Sequence, residues 1–327
     1  MVLDNTISRR TFMRWCIAAG LMYHLNACSK GESGAGWVFS PYNPVLGKGL
    51  GVCFDPCVIK EGSLYRMWFS WRTQHSVAYT ESRNGYEWSE PKIVLSPDPK
   101  LPSQTEVNRP TVLVRNGVYH LWYTGQSVER SEIYYATSSD GLTWNRASSD
   151  PVLIPAAAYE KQAVMTPNVL WDEEAACFRM YYSAGEQYEP DCICLATSRD
   201  GKVWTRREQP VFLPDESHPW EKAKVTAPDV HRVDGWYYMF YIGFADVHHA
   251  AIGIARSRDG ISQWERHRAN PILQAPGMLN PFAWDRDAIY KPAAVLDAQG
   301  WALFFNARRH DIEQIGMATH QGRDLGF

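Results

Sequence analysis

The stretch Ser198-Arg199-Asp200-Gly201-Lys202-Val203-Trp204 decides the fold, because the chain repeats it. The phrase S-x-D-G-x-x-W returns at Ser138, Asp140, Gly141 and Trp144 and, with one residue inserted, at Ser257, Asp259, Gly260 and Trp264. Ser82, Asn84, Gly85 and Trp88 form an Asn-Gly version. Asp-Gly and Asn-Gly between alternating apolar runs signal a hairpin, since a tight turn matched to the strand twist needs positive φ. Each copy predicts a hairpin with a tryptophan strand after it.

Upstream of each copy a proline opens a short apolar run. These runs are F-D-P-C-V-I at Pro56, N-R-P-T-V-L at Pro110, M-T-P-N-V-L at Pro167, T-A-P-D-V-H at Pro228 and Y-K-P-A-A-V at Pro292, spaced 54, 57, 61 and 64 residues apart. Each unit keeps one order: proline strand, aromatic strand, third strand, Asp-Gly turn, Trp strand. Five such units predict an all-β chain, a five-bladed β-propeller with four-stranded blades. A β-sandwich of irregular hairpins would not keep that order. The fifth unit stops after I-G-M-A-T-H and supplies no Trp strand, whereas Trp37 stands seven residues before Pro44 as Trp264 does before Pro271 and Trp144 before Pro151. The segment Trp37 to Leu46 is therefore expected to close the last blade, which would remove an open sheet edge.

One propeller over residues 37–327 accounts for nearly all of the 327 residues. Residues 1–27 read as a targeting segment: Ser8-Arg9-Arg10-Thr11-Phe12-Met13 looks like a twin-arginine export signal, and Leu25-Asn26-Ala27-Cys28 resembles a lipobox. Export to the periplasm or cell envelope, lipid anchorage at Cys28 and a flexible tether over 28–36 follow as expectations. Removing three arginines and Asp4 with the signal leaves 30 basic against 35 acidic residues, a charge near −5. No basic run exists, which argues against a nucleic-acid partner. The remaining five cysteines have no zinc spacing and read as free thiols. No metal or cofactor is called for; a structural calcium on the axis has no motif to support it. The chain is expected to be a monomer that meets the membrane only through its lipid.

In a propeller, chemistry comes from polar side chains gathered where blades converge. The starts of the proline strands and the ends of the aromatic strands contribute Asp55, Arg109, Asn168, Asp229, Tyr290 and Lys291, then Arg72, Glu186, Tyr188, Asp246, His248, Arg308 and Arg309. Such charge density is costly to bury without a purpose and reads as a ligand pocket. The acids of Tyr159-Glu160, Trp220-Glu221 and Trp284-Asp285 each stand seven residues before a blade proline. Their repetition argues for an inter-blade structural contact and excludes them from the site.

The F-D-P-C-V-I opening and the S-x-D-G-x-x-W hairpins resemble the five-bladed propeller glycoside hydrolases, the group of family 43 arabinanases and xylosidases, family 32 invertases and family 130 mannoside phosphorylases. Y-S-A-G-E-Q-Y-E-P is similar to family 137 relatives. The resemblance implies an exo-acting glycosidase that cleaves a terminal, arabinofuranoside-like sugar from plant or microbial glycans with two carboxyls in different environments. Asp55 matches the family base or nucleophile, Glu186 the third-blade general acid, and Asp229 serves as a third carboxylate. The chain departs from family 43 at Arg109-Pro110-Thr111, where an aspartate is expected after the proline. Arg72, Arg109, Asn168, Tyr188, Asp246, His248, Lys291 and Arg309 would hold hydroxyls or a substrate carboxylate. Alternatives are a phosphorylase of the family 130 type, suggested by Arg308-Arg309-His310 and His248-His249, and a non-catalytic glycan-binding propeller.

Overall fold

The computed structural model describes residues 32–101 and 104–327. The twin-arginine stretch and Cys28 lie outside the described residues. Five antiparallel units follow one another. Blade 1 comprises Cys53–Glu61, Leu64–Trp71, Ser76–Ser82 and Lys92–Leu95; blade 2, Glu106–Arg115, Val118–Gln126, Ser131–Ser138 and Asn145–Arg146; blade 3, Ala163–Asp172, Cys177–Gly185, Pro190–Ser198 and Thr205–Arg206. Blade 4 runs through Lys224–Val233, Trp236–Asp246, His249–Ser257 and Glu265–Arg266, and blade 5 through Ala288–Leu296, Gly300–Arg309 and Ile312–Gln321. First strands of successive blades lie side by side, and that of blade 5 returns to blade 1, so the ring closes.

Both faces of a blade are covered by neighbours, and strand alternation divides the aromatic residues between them. In Leu64–Trp71, Tyr65, Met67 and Phe69 pack with Phe304 and Met317 of blade 5, while Trp68 packs with Leu121 and Tyr123 of blade 2. Five apolar clusters of this kind fill the five interfaces.

The Asp-Gly phrases fasten these interfaces. Trp68 Nε1 donates to the Gly141 carbonyl of the next blade at 2.8 Å, Trp122 Nε1 to Gly201 at 2.8 Å, and Tyr181 Oη to Gly260 at 2.8 Å. The loops themselves differ from the expected tight hairpin turns. Asp140 and Asp200 keep negative φ, and each loop is held by side chains: Ser138 Oγ accepts from the Gly141 amide, and Asp140 Oδ1 accepts from the Leu142 and Thr143 amides. The outer strand begins after the tryptophan and is two residues long in blades 2, 3 and 4.

The N-terminal segment closes blade 5. Val38 and Phe39 pair antiparallel with Thr319 and Ala318, and Leu46 bridges Ile315. Asn43 completes the ladder with its side chain, donating to the Met317 carbonyl at 3.0 Å and accepting from its amide at 2.8 Å. Asn270 does the same for Ile254 in blade 4. Residues 32–36, expected as tether, are ordered by pairing: Glu32–Ser33 adds an edge strand to Leu273–Gln274. All five described cysteines are free. Among the described residues no helix is long and apolar enough to cross a membrane.

Candidate active site

Each proline strand carries a bulge at one place, between Phe54 and Cys57, Asn108 and Thr111, Met165 and Asn168, Thr226 and Asp229, and Tyr290 and Pro292. The residue before the proline adopts positive φ in all five: Asp55 (52°), Arg109 (52°), Thr166 (49°), Ala227 (50°) and Lys291 (50°). A non-glycine residue disfavours this conformation, and a following proline restricts it further. Five repetitions mark it as built in. The preceding blade holds it: Asn306 Oδ1 accepts from the Asp55 amide at 2.7 Å, Ser70 Oγ from Arg109 at 2.8 Å, Thr124 Oγ1 from Thr166 at 3.2 Å and Ser183 Oγ from Ala227 at 2.8 Å. The counterpart of these fasteners in blade 4 is Ile242, which lines the cavity.

The bulge reverses strand alternation, so side chains before and after the proline face opposite mouths of the ring. All five bulge residues line a central cavity of about 220 Å³. Cys57, Thr111, Asn168, Asp229 and Ala293 line the other mouth. Lys291 touches both.

Three carboxyls line the cavity: Asp55, Glu189 and Glu313. Asp55 is buried, and Ser70 Oγ donates to its Oδ2 at 3.1 Å while accepting from the Arg109 amide. Glu189 ends the Glu186–Glu189 loop, just before Pro190 begins the third strand of blade 3. Burial pushes its carboxyl up, against the lowering influence of Arg109, Lys224 and Arg308. Glu313, near the start of blade 5's third strand, is likewise pushed up by burial and by the Asp55 charge, against the lowering influence of the neighbouring Tyr290 and of Arg308. Arg72, Arg109, Lys291 and Arg308 supply positive charge to the same cavity. Ile242, Phe244 and Ala250 give blade 4 an apolar wall. An acid anchored by a hydroxyl, in one cavity with two half-buried carboxyls whose charge burial disfavours, is an arrangement acid–base chemistry can use. No group of three His, Cys, Asp or Glu side chains close enough to hold a metal occurs among the described residues.

The family model for the glycosyl hydrolases family 32 N-terminal domain matches residues 58–260, more than half of the chain. The chain belongs to this family. Its glycosidase character is thereby shown, on the propeller scaffold shared with a thermostable family-43 glycoside hydrolase of known structure (TM-score 0.67, 18% identity, covering 86% of this chain and 93% of that one). An uncharacterized protein of Mycobacterium tuberculosis is 27% identical over 62% of this chain and 73% of its own length. A 1,2-beta-oligomannan phosphorylase of Thermoanaerobacter sp. is 27% identical over 59% of this chain and 61% of its own.

Several residues expected at the site of this family 32 glycosidase stand elsewhere. Glu186 is 57% exposed on the rim, bound by Lys224 Nζ at 2.7 Å and near Lys161 at 3.5 Å; the hydrogen bond and charge of Lys224 hold its carboxyl below the usual range. A carboxylate so stabilised is a poor proton donor. Asp229 faces the opposite mouth, where the Ala294 amide, Asn168 Nδ2 at 2.9 Å and His231 Nε2 at 2.9 Å surround it. Burial opposes its charge, but His231 and the Ala294 amide outweigh that and keep it ionised. Asp229 and Asn168 thus join blades 3, 4 and 5. Asp246 is exposed and caps its own turn, accepting from the His248 and His249 amides. Arg309 Nη1 donates to the Phe282 carbonyl, and its neighbour Arg308 takes the place in the cavity. Arg72, Arg109, Tyr188, His248 and Lys291 do line the cavity, the tyrosine and histidine at its exposed rim.

Glu160 and Glu221 are fully buried, but within their own blades: Glu160 binds Tyr182 at 2.8 Å and Arg206 at 3.1 Å, and Glu221 binds Arg266 at 2.5 Å. These contacts correct the expected inter-blade role. Glu189 and Glu313 lie outside the proline strands and the aromatic-strand ends, where the repeat points to the axis. Both sit at the start of a third strand, the position that would have found them.

Proposed function

We propose that this glycosidase is exo-acting and removes one terminal sugar, arabinofuranoside-like or related, from a plant or microbial glycan. Asp55 acts as base or nucleophile and Glu189 as general acid. The observation that carries this reading is the pairing, in one small cavity, of a carboxylate anchored by Ser70 with a glutamate that burial favours in its protonated form. The cavity lies below the roughly 300–1,000 Å³ of ordinary ligand pockets, which suits one ring rather than a run of polymer. Glu189 protonates the leaving oxygen; Asp55 attacks the anomeric carbon or activates water for that attack; Glu313, beside Tyr290, holds a sugar hydroxyl. A panel of aryl furanosides and pyranosides, assayed with and without phosphate, tests the proposal. Phosphate-independent release of free sugar is expected. The phosphorylase relative and the cationic lining formed by Arg308 and Lys291 favour the second reading, and strict phosphate dependence with a sugar phosphate as product would establish it in place of the first.

Export and lipid anchorage belong to the same proposal, supported by Arg9-Arg10 and by Leu25-Asn26-Ala27-Cys28. Cys28→Ala is expected to move the protein from the membrane to the soluble fraction of its host; an unchanged distribution would contradict anchorage.

A further inference from the structure

In the strands of blades 3 and 4 arginines are neutralised by acids. Arg179 meets Asp172 at 2.7 Å, Arg206 meets Glu160 at 3.1 Å, and Arg266 meets Glu221 at 2.5 Å. In the cavity, Arg72 follows the rule through Glu106 at 3.4 Å. Arg109, Lys291 and Arg308 do not: among the described residues no carboxylate oxygen lies within 4.0 Å of their charged nitrogens. Lys291 is only 6% exposed and Arg109 and Arg308 are half-buried. Arg109 and Arg308 act on Glu189, Arg308 on Glu313 and Lys291 on Asp229 only from beyond 4.0 Å. Desolvating cations without a close partner is costly, which favours an anion from outside.

The site is also preorganised. Arg109 Nη1 donates to Asn108 Oδ1 at 2.9 Å and to Gln126 Oε1 at 3.1 Å, both neutral amides, so the guanidinium is aimed without being neutralised. Asn108 and Gln126 are buried and bonded to each other at 2.8 Å. Arg109 and Lys291 project from the strained bulge positions that also present Asp55. Arg109 and Arg308 both lie near enough to Glu189 for their charges to act on it. Glu189 and Glu313 share the cavity, burial raising both carboxyls while the charge of Arg308 lowers them.

We propose that Arg109, Lys291 and Arg308 form an oxyanion site within the sugar pocket, and that the terminal sugar it takes is a uronic acid, whose carboxylate the three cations hold, in place of a neutral arabinofuranoside. This inference rests on the glycosidase reading of the same cavity. Inorganic phosphate offers the same oxyanion chemistry, but about 220 Å³ favours one occupant carrying both ring and charge over a ring beside a separate ion.

The test is calorimetric titration of the purified protein with D-glucuronate and D-galacturonate, each against its neutral parent, D-glucose or D-galactose, and with inorganic phosphate. The same panel of aryl glycosides is assayed in parallel. At least one uronate is expected to bind about tenfold or more tightly than its parent, as charge-assisted hydrogen bonds allow. That preference should collapse in Lys291→Met and in Arg308→Gln; the arginine, less buried, serves if the lysine variant does not fold. Equal affinity for uronate and parent, or binding of neither, overturns the inference. Phosphate binding without uronate binding also overturns it, assigning the cations to a phosphate co-substrate. Uronate preference without turnover of any aryl glycoside supports the oxyanion site and counts against the hydrolase.

Discussion

At the residue scale, what separates Glu189 from Glu186 is solvation, although they stand three residues apart in one loop. Glu186 points to the rim, where two lysines stabilise its charge; Glu189 points inward, where burial disfavours it. Glu186→Gln is therefore expected to leave kcat/KM within a few-fold of the parent, whereas Glu189→Gln removes a general acid and costs about 10²–10⁴-fold. The comparison of steady-state rates checks both. The pH profile follows from the sign of the shift. An acid must be protonated to act, so kcat/KM falls as pH rises through the folded pKa of Glu189, and that limb lies above the ordinary glutamate value of about 4.3. Glu189→Gln should abolish the limb. Asp55 was legible in sequence because it precedes a blade proline. Asp229 misled for the same proline: two residues along a regular strand share a face, but the bulge reverses that rule, and nothing in A-P-D announces a residue with φ of 50°.

At the element scale, the glycine of each S-x-D-G-x-x-W loop serves a neighbour. Gly201 has φ of 75°, and a Cβ there would stand 2.9 Å from the Trp122 ring whose Nε1 binds its carbonyl. Gly117 has φ of 73° with nothing within 4 Å of a Cβ. Gly117→Ala is expected to cost only the left-handed penalty, about 1–2 kcal/mol. Gly201→Ala adds overpacking of about 1–3 kcal/mol and loosens the joint between blades 2 and 3. Urea unfolding of the two variants measures the difference; equal costs would contradict the fastening role. The repeat and its order were legible as a sequence pattern, since each element is local, whereas the latches from Trp68, Trp122 and Tyr181 reach across blades and were not. The loop geometry was not, because Asp-Gly reports a turn without saying whether backbone or Ser and Asp side chains close it.

At the scale of the whole molecule, the ring depends on chain ends meeting. Trp37, 3% exposed, packs edge-on against Phe240 at 5.8 Å and beside His320 at 5.5 Å, so it joins blades 4 and 5. Trp37→Ala is expected to destabilise the fold by about 3–5 kcal/mol, read by urea unfolding. A loss under about 1 kcal/mol would mean that closure does not hold the disc together. The missing fourth strand of the last blade was legible from the seven-residue spacing of Trp37 and Pro44. The identity of the site was only half legible, since the inner strands announce themselves through proline, while Glu189 and Glu313 come from hairpins that reach the axis only once the ring is closed.

The most direct test of the central claim, that Glu189 gives its proton to the leaving group inside this cavity, is the dependence of Glu189→Gln turnover on the leaving group. Dinitrophenyl glycosides, whose leaving oxygen needs little protonation, should keep rates near those of the parent. Alkyl or unsubstituted phenyl glycosides of the same sugar should lose about 10²–10⁴-fold. A loss equal for both kinds of substrate, or no loss for either, would contradict the account.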